Sequence, residues 1–252
     1  IGRRSQPPVM AQMPVEKRKL PKRTVAMAVS ALLLIPVTLF IGVFYLQRQQ
    51  YAIVSVLVLF ECMLPFFLVF EGRKPQAREL VVIAVLCAIS VAGRAAFFML
   101  PQFKPVMAMT IISGVALGGE SGFLVGALSM LVSNMFFSQG PWTPWQMFAL
   151  GLLGFISGLV FRKDIRTKTQ RALLCLYGAL STFFIYGGIM DSAYVLMAGS
   201  EPTLAALLAA YASGLPFNLI FAGATVVFLL VLTRPILNKL RRIKKKYGLL
   251  TG

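Results

Sequence analysis

The 33-residue stretch PVMAMTIISGVALGGESGFLVGALSMLVSNMFF, Pro105 to Phe137, decides how the rest of the chain is threaded. As one helix it would run about 50 Å, well beyond a hydrocarbon core of about 30 Å. Its middle, Gly118-Gly119-Glu120-Ser121, has the glycines and polar groups of a turn. A turn there leaves two short helices, Pro105 to Leu117 and Ser121 to Phe137, of which the first barely spans.

Six further apolar runs flank this stretch: Val25 to Leu46, Tyr51 to Phe70, Leu80 to Leu100, Met147 to Phe161, Ala172 to Met197 and Leu204 to Thr233. Pro36 and Pro65 predict kinks in the first two. With the turn, the chain makes eight spans and both ends are cytoplasmic. The cytoplasmic segments then hold 22 of the 25 basic residues, leaving Arg48, Arg94 and Lys104 for the outer half. Without it, the basic loop Arg162 to Arg171 would lie outside, against the positive-inside rule. The basic tail before Val25 is too long for a signal-peptide n-region and no small-residue cleavage site follows, so the first run is expected to be an uncleaved span.

Composition agrees with a polytopic membrane protein. Of 252 residues, 58% are apolar and 13% charged, and the mean hydropathy is +0.80. The net charge of +17 reports topology and anionic lipid rather than nucleic acid. The absence of histidine excludes the usual catalytic triads, most zinc sites and histidine proton relays. No metal site and no catalytic set is expected. Cys62, Cys87 and Cys175 stand far apart in apolar runs and form no disulfide framework. No P-loop motif occurs, so the chain carries no ATPase of that kind.

The polar chemistry collects on the outer face. The loop Ser138-Gln-Gly-Pro-Trp-Thr-Pro-Trp-Gln146 holds both tryptophans, and a second outer loop, Pro101 to Pro105, follows Phe97 and Phe98. An aromatic belt is one reading; a rigid cap over a pocket, with ring faces for stacking and amides for orientation, is the other. Arg94 and Asp191 are the charges at outer membrane depth, where a charge is costly unless paired or hydrated. Either they pair with each other or one contacts ligand. Asn134, Tyr186, Tyr194 and Asn218 add reachable polar groups, while Glu61, with no charged partner nearby in sequence, is not expected to relay protons. Small residues recur every four positions: Ala84, Ala88 and Ala92, then Gly114, Gly118, Gly122 and Gly126, then Gly154 and Gly158. Such stripes let helix backbones approach closely, so from spacing alone they are expected to pack inside the bundle; one facing lipid would be a docking surface.

The run Ala84-Val-Leu-Cys-Ala88-Ile-Ser-Val-Ala92-Gly93-Arg94, the glycine-rich helix pair and Gln139-Gly-Pro-Trp-Thr-Pro-Trp-Gln-Met147 together resemble the substrate-binding S component of energy-coupling factor (ECF) vitamin transporters. The likeness runs from Arg78 to the C-terminus. It implies a six-helix core, residues 77–252, preceded by a basic tail, 1–24, and two additional membrane helices, 25–76. The tryptophan loop and the extra N-terminal region look most like the cobalamin-specific member of lactic acid bacteria.

The resemblance implies a multi-pass protein of the bacterial cytoplasmic membrane, with no ATPase site of its own. It would capture cobalamin from outside, dock on a T subunit with two ATPases, and topple to release its cargo. A queuosine precursor or another vitamin is the alternative cargo, and a non-binding assembly subunit the alternative class. The vitamin is a transported substrate, and no cofactor is implied. Ala84, Ala88 and Ala92 would form the docking face. Arg94, Phe97, Phe103, Asn134, Gln139, Trp142, Trp145, Tyr186, Asp191 and Tyr194 are the candidate ligand contacts.

Overall fold

A computed structural model describes residues 25, 28–44, 53–54, 56–58, 60–61, 77–162, 165–198 and 203–247. The basic tail, Arg48, Cys62, Pro65, Asp164 and the Arg73–Lys74 pair lie outside them. Every regular element among the described residues is helical, in the order α1 (Ile35–Phe44, entered through a π turn, Ser30–Leu34), α2 (Ala77–Ala96), α3 (Val106–Leu117), α4 (Gly119–Phe137), α5 (Thr143–Val160), α6 (Lys168–Leu180), a π segment (Ser181–Gly187), α7 (Gly188–Ala198) and α8 (Leu204–Tyr247). Among the described residues, five helices are long and apolar enough to cross a membrane, α6 to α7 counting as one. The chain is an all-α, multi-pass membrane protein.

The two halves of Pro105 to Phe137 form as the charge distribution requires, and the turn between them shrinks to one residue. Gly118 alone leaves the helix, at φ 100° and ψ 166°, a conformation an L side chain rarely adopts. α3 is only 12 residues, about 18 Å, too short to cross on its own. Val106 to Gly114 are all buried, so α3 is the core around which α4, α5 and α8 are laid.

Glycine makes that enclosure possible. A Cβ on Gly114 would stand 2.1 Å from Gly154 O, one on Gly154 2.3 Å from Gly122 O, and one on Gly126 2.7 Å from Leu150 O. The glycine stripe therefore lies where α3, α4 and α5 touch backbone to backbone, as its spacing predicts.

The alanine stripe does the reverse. On α2, Ile83, Leu86, Cys87 and Ser90 face inward, whereas Ala84, Ala88 and Ala92 are exposed. The packing role expected from spacing is corrected: small size here shapes an outer surface. With Leu124, Leu128 and Val132 of α4, these alanines line an apolar groove of about 860 Å³.

Helix limits differ from the hydropathy reading at several ends, three of which bear on the site. α2 stops at Ala96 rather than Leu100, because Phe97 to Leu100 turn back toward Pro105. α5 begins at Thr143, with Pro144 in its first turn where a missing N–H costs nothing, so Trp145 and Gln146 are helical rather than loop residues. α8 passes Thr233 and runs 44 residues to Tyr247, with Pro216 and Pro235 inside it. At the N-terminal end, Ala31, Ile35 and Leu39 are buried together with Val54 and Val58, and Thr38 donates a hydrogen bond to Glu61. That bond gives the mid-membrane carboxyl a local partner.

Candidate functional site

Arg94 stands in the last turn of α2, and its guanidinium reaches α4. Its Nη1 donates to Ser133 Oγ at 2.5 Å and Asn134 Oδ1 at 2.7 Å, and lies 3.5 Å from Met130 Sδ. The guanidinium sits 5.5 Å from the centroid of the Phe137 ring, within cation–π range. All these bonds leave from one nitrogen; among the described residues no partner takes Nη2 or Nε.

Asn134, 1% exposed, passes the network on. Its carbonyl is used by Arg94, so its amide is oriented, and Nδ2 donates to Thr143 Oγ1 at 2.9 Å and Gln146 Oε1 at 2.8 Å. Both acceptors belong to the first turn of α5, which is why the start of that helix at Thr143 matters. Thr143 Oγ1 also accepts from Gly140 N at 3.4 Å, closing the loop before it. Tyr186, 4% exposed, projects from the π segment toward Gln146 and Arg94. A π turn redirects side chains within a helix, and here it serves Tyr186 and also Thr182, which bonds Thr225 of α8 at 3.2 Å.

Two loops frame this cluster. Among the described residues, the non-glycine residues with positive φ are Gln102, at 55°, and Ser138, at 102°, one in each outer loop. Strained backbone of this kind persists only where surrounding contacts over-determine it. The Pro101 to Pro105 loop is held by an aromatic cluster, with Phe97 and Phe103 5.0 and 5.2 Å from Phe228 of α8. The other loop is pinned by Gln139 Nε2 donating to Leu131 O at 3.2 Å. Trp142, 38% exposed, lies over Gly140, where an added Cβ would be 2.5 Å from the indole. Trp145 is half-buried against the core.

Lys104 belongs to the same outer region. It caps Leu100 O at 3.2 Å, and burial, with the like charge of Arg94 as a second cause, holds its ammonium below the usual lysine value.

The structure thus gathers Arg94, Asn134 and Tyr186 from the expected set, with Phe97, Phe103, Gln139, Trp142 and Trp145 around them. It separates Asp191 and Tyr194. Asp191 Oδ2 accepts from Asn218 Nδ2 at 2.7 Å, in a niche against α8 where a Cβ on Gly214 would be 2.4 Å from Oδ1. The alternative of an Arg94–Asp191 pair is therefore corrected: each has taken a neutral partner. Tyr194 is 65% exposed and points away from the cluster.

Ser133, Thr143, Gln146 and Lys104 are members that sequence reasoning passed over. Ser133 and Asn134 are adjacent polar residues near the end of an otherwise apolar helix, a signal that could have marked the pair.

Comparison with known proteins points the same way. A family model described as "ECF-type riboflavin transporter, S component" matches residues 74–241. The chain is similar to a UPF0397 protein of Aliivibrio salmonicida, 31% identical over 157 residues that cover 60% of this chain and 80% of that one. It is 28% identical over 157 residues to a UPF0397 protein of Vibrio atlanticus, covering 60% and 81%. A shorter likeness, 35% over 89 residues, joins it to a UPF0397 protein of Aliivibrio fischeri, covering 33% of this chain and 48% of that one. No solved structure matches the chain. With the family model matching two-thirds of its length, this chain belongs to the S-component family of ECF-type riboflavin transporters, the membrane-embedded substrate-binding components of those importers.

Proposed function

We propose that this subunit captures a planar, acceptor-rich heterocyclic nutrient at its outer face and docks on a T subunit through the α2–α4 groove. One observation carries the ligand class: Arg94 is locked in place through Nη1 while Nη2 and Nε take no described partner. A fixed, forked donor of this kind suits ring nitrogens and carbonyl oxygens in one plane. Lys104 and Gln146 lie within the same region, and the half-buried Trp145 ring offers an apolar face. The name of the matching family, which specifies riboflavin, supports a ligand of that shape.

Cobalamin, the cargo implied by the resemblance of the tryptophan loop, asks for a wide mouth with apolar cover for the faces of a corrin. Trp142 is already stacked on its own loop at Gly140 and Trp145 on the core. That engagement favours a flat ligand approached from one side, a class that includes riboflavin and the queuosine precursor.

Calorimetric titration of the purified chain with riboflavin, the queuosine precursor and cobalamin tests this reading. Tight binding of either flat heterocycle, weakened in Arg94→Met, is expected. Tight binding of cobalamin with Arg94→Met unchanged would overturn it.

For docking, the exposed Ala84, Ala88 and Ala92 keep the groove floor low enough for an apolar helix to lie close. This reading requires energy from partner subunits, since the chain has no P-loop motif.

A further inference from the structure

At the cytoplasmic end lies a second arrangement, none of whose lining residues belongs to the Arg94 cluster. The residues after α5, the start of α6 and the inner half of α8 enclose a cavity of about 250 Å³. Arg166, Arg171, Arg234 and Arg241 line it with Asn238, and among the described residues no acidic one lines it. Its volume lies below the range of about 300–1,000 Å³ usual for drug-sized ligands.

The walls are built rather than fortuitous. Gln170 Oε1 accepts from Arg166 N at 2.8 Å and Thr167 N at 3.0 Å, while Thr167 Oγ1 accepts from Gln170 N at 3.1 Å. This capping box fixes the loop at the start of α6. Arg241 Nη2 donates to Ile165 O at 2.9 Å, tying that loop to α8, and Arg171 Nη2 donates to Leu230 O at 2.9 Å. Two arginines therefore serve as struts while their charge stays at the cavity wall. Segments 162–171 and 234–252 carry twelve basic residues against one acid, Asp164, so the region is strongly cationic.

The depth is that of lipid headgroups. Thr233 is buried, Leu230 is the last apolar turn before Arg234, and the positive-inside distribution puts this end at the cytoplasmic leaflet. Guanidinium groups bind phosphate oxygens as forked donors, and anionic lipids concentrate in that leaflet. We propose that this arginine-lined cavity is a binding site for a phosphodiester anion, supplied by the headgroup of an anionic lipid.

The test uses the full chain in phosphatidylcholine nanodiscs containing a minor fraction of phosphatidylglycerol, with retained lipid counted by native mass spectrometry. Arg234→Gln and the double variant with Arg166→Gln remove cavity charges, and Arg242→Gln, on the same helix but outside the lining, is the control. Retained phosphatidylglycerol is expected to fall about fivefold in affinity for each cavity arginine removed, with the control unchanged. Melting curves verify that each variant is folded. Equal loss in Arg242→Gln, or no loss in the folded double variant, would overturn the site. Inorganic phosphate binding the detergent-purified chain as tightly as short-chain phosphatidylglycerol would keep the anion site and overturn lipid as its source.

Discussion

Replacing Gly122 by Ala tests the proposition that the centre of the bundle is held by backbone contact. A Cβ at Gly122 would stand 2.5 Å from Gly114 Cα and 2.6 Å from Gly154 O, against ordinary contacts of 3.4–4 Å. Both obstacles are main chain, so no rotamer change relieves them, and the helices must part by about 1 Å. Overpacking of this kind costs about 1–3 kcal/mol. Helix propensity works the other way, favouring Ala by up to about 1 kcal/mol. With backbone on two sides the clash falls in the upper part of its range, leaving a net loss of about 1–2 kcal/mol, or about 5–30-fold in the folded-to-unfolded ratio. Gly223 on α8 is the counterpart: nothing lies within 4 Å of an added Cβ, so Gly223→Ala keeps the propensity gain. Thermal melting of the detergent-purified variants should therefore move in opposite directions, down for Gly122→Ala and level or up for Gly223→Ala. A Gly122→Ala protein that melts with or above the parent would refute the reasoning.

Ala84→Trp and Ala88→Leu should abolish uptake in cells that carry the T subunit and ATPases, while melting temperature and ligand affinity of the isolated chain stay unchanged; loss of affinity would make the alanines internal. Arg94→Lys, which keeps the charge but loses the fork, should raise the ligand Kd at least about tenfold in titration. Trp145→Ala should weaken binding by about 1–3 kcal/mol and Trp142→Ala by much less, because Trp142 spends one face on Gly140; equal effects would contradict that assignment. If Lys104 helps hold the ligand, its charge acts below its pKa and is lost above it. Since that pKa is lowered, affinity should decline with rising pH before the ordinary lysine value near 10.5, and Lys104→Met should flatten the decline.

Much of the architecture was legible because the bilayer leaves few choices. Apolar length and the placement of lysine and arginine suffice to split Pro105 to Phe137 and orient the spans. What periodicity could not reveal was direction. Ala84-Ala88-Ala92 and Gly114-Gly118-Gly122 have the same spacing, yet the first faces out and the second in, since the inward face of α2 is set by Ile83, Leu86, Cys87 and Ser90. Lipid is as apolar as the core, so hydropathy does not distinguish the two faces. The candidate site was legible through its rare charge, Arg94, and its adjacent amide, Asn134. Thr143 and Gln146 were hidden by a boundary error of four residues, both reading as loop although α5 starts at Thr143. Asp191 misled because its partner, Asn218, is neutral and distant in sequence.

The length of α8 has a mechanical consequence. Its 44 residues make a rod of about 66 Å, about twice the hydrocarbon thickness. Phe228, near its middle, packs on Phe97 and Phe103, and the C-terminal third passes the arginine-lined cavity through Arg234, Asn238 and Arg241. Phe228 to Tyr247 is about 28 Å of that length, so a tilt of about 10° about Phe228 moves the C-terminal end by about 5 Å. A slight change of inclination beside the aromatic cluster would thus displace the cytoplasmic end of α8 by several ångströms without rearranging the packed core.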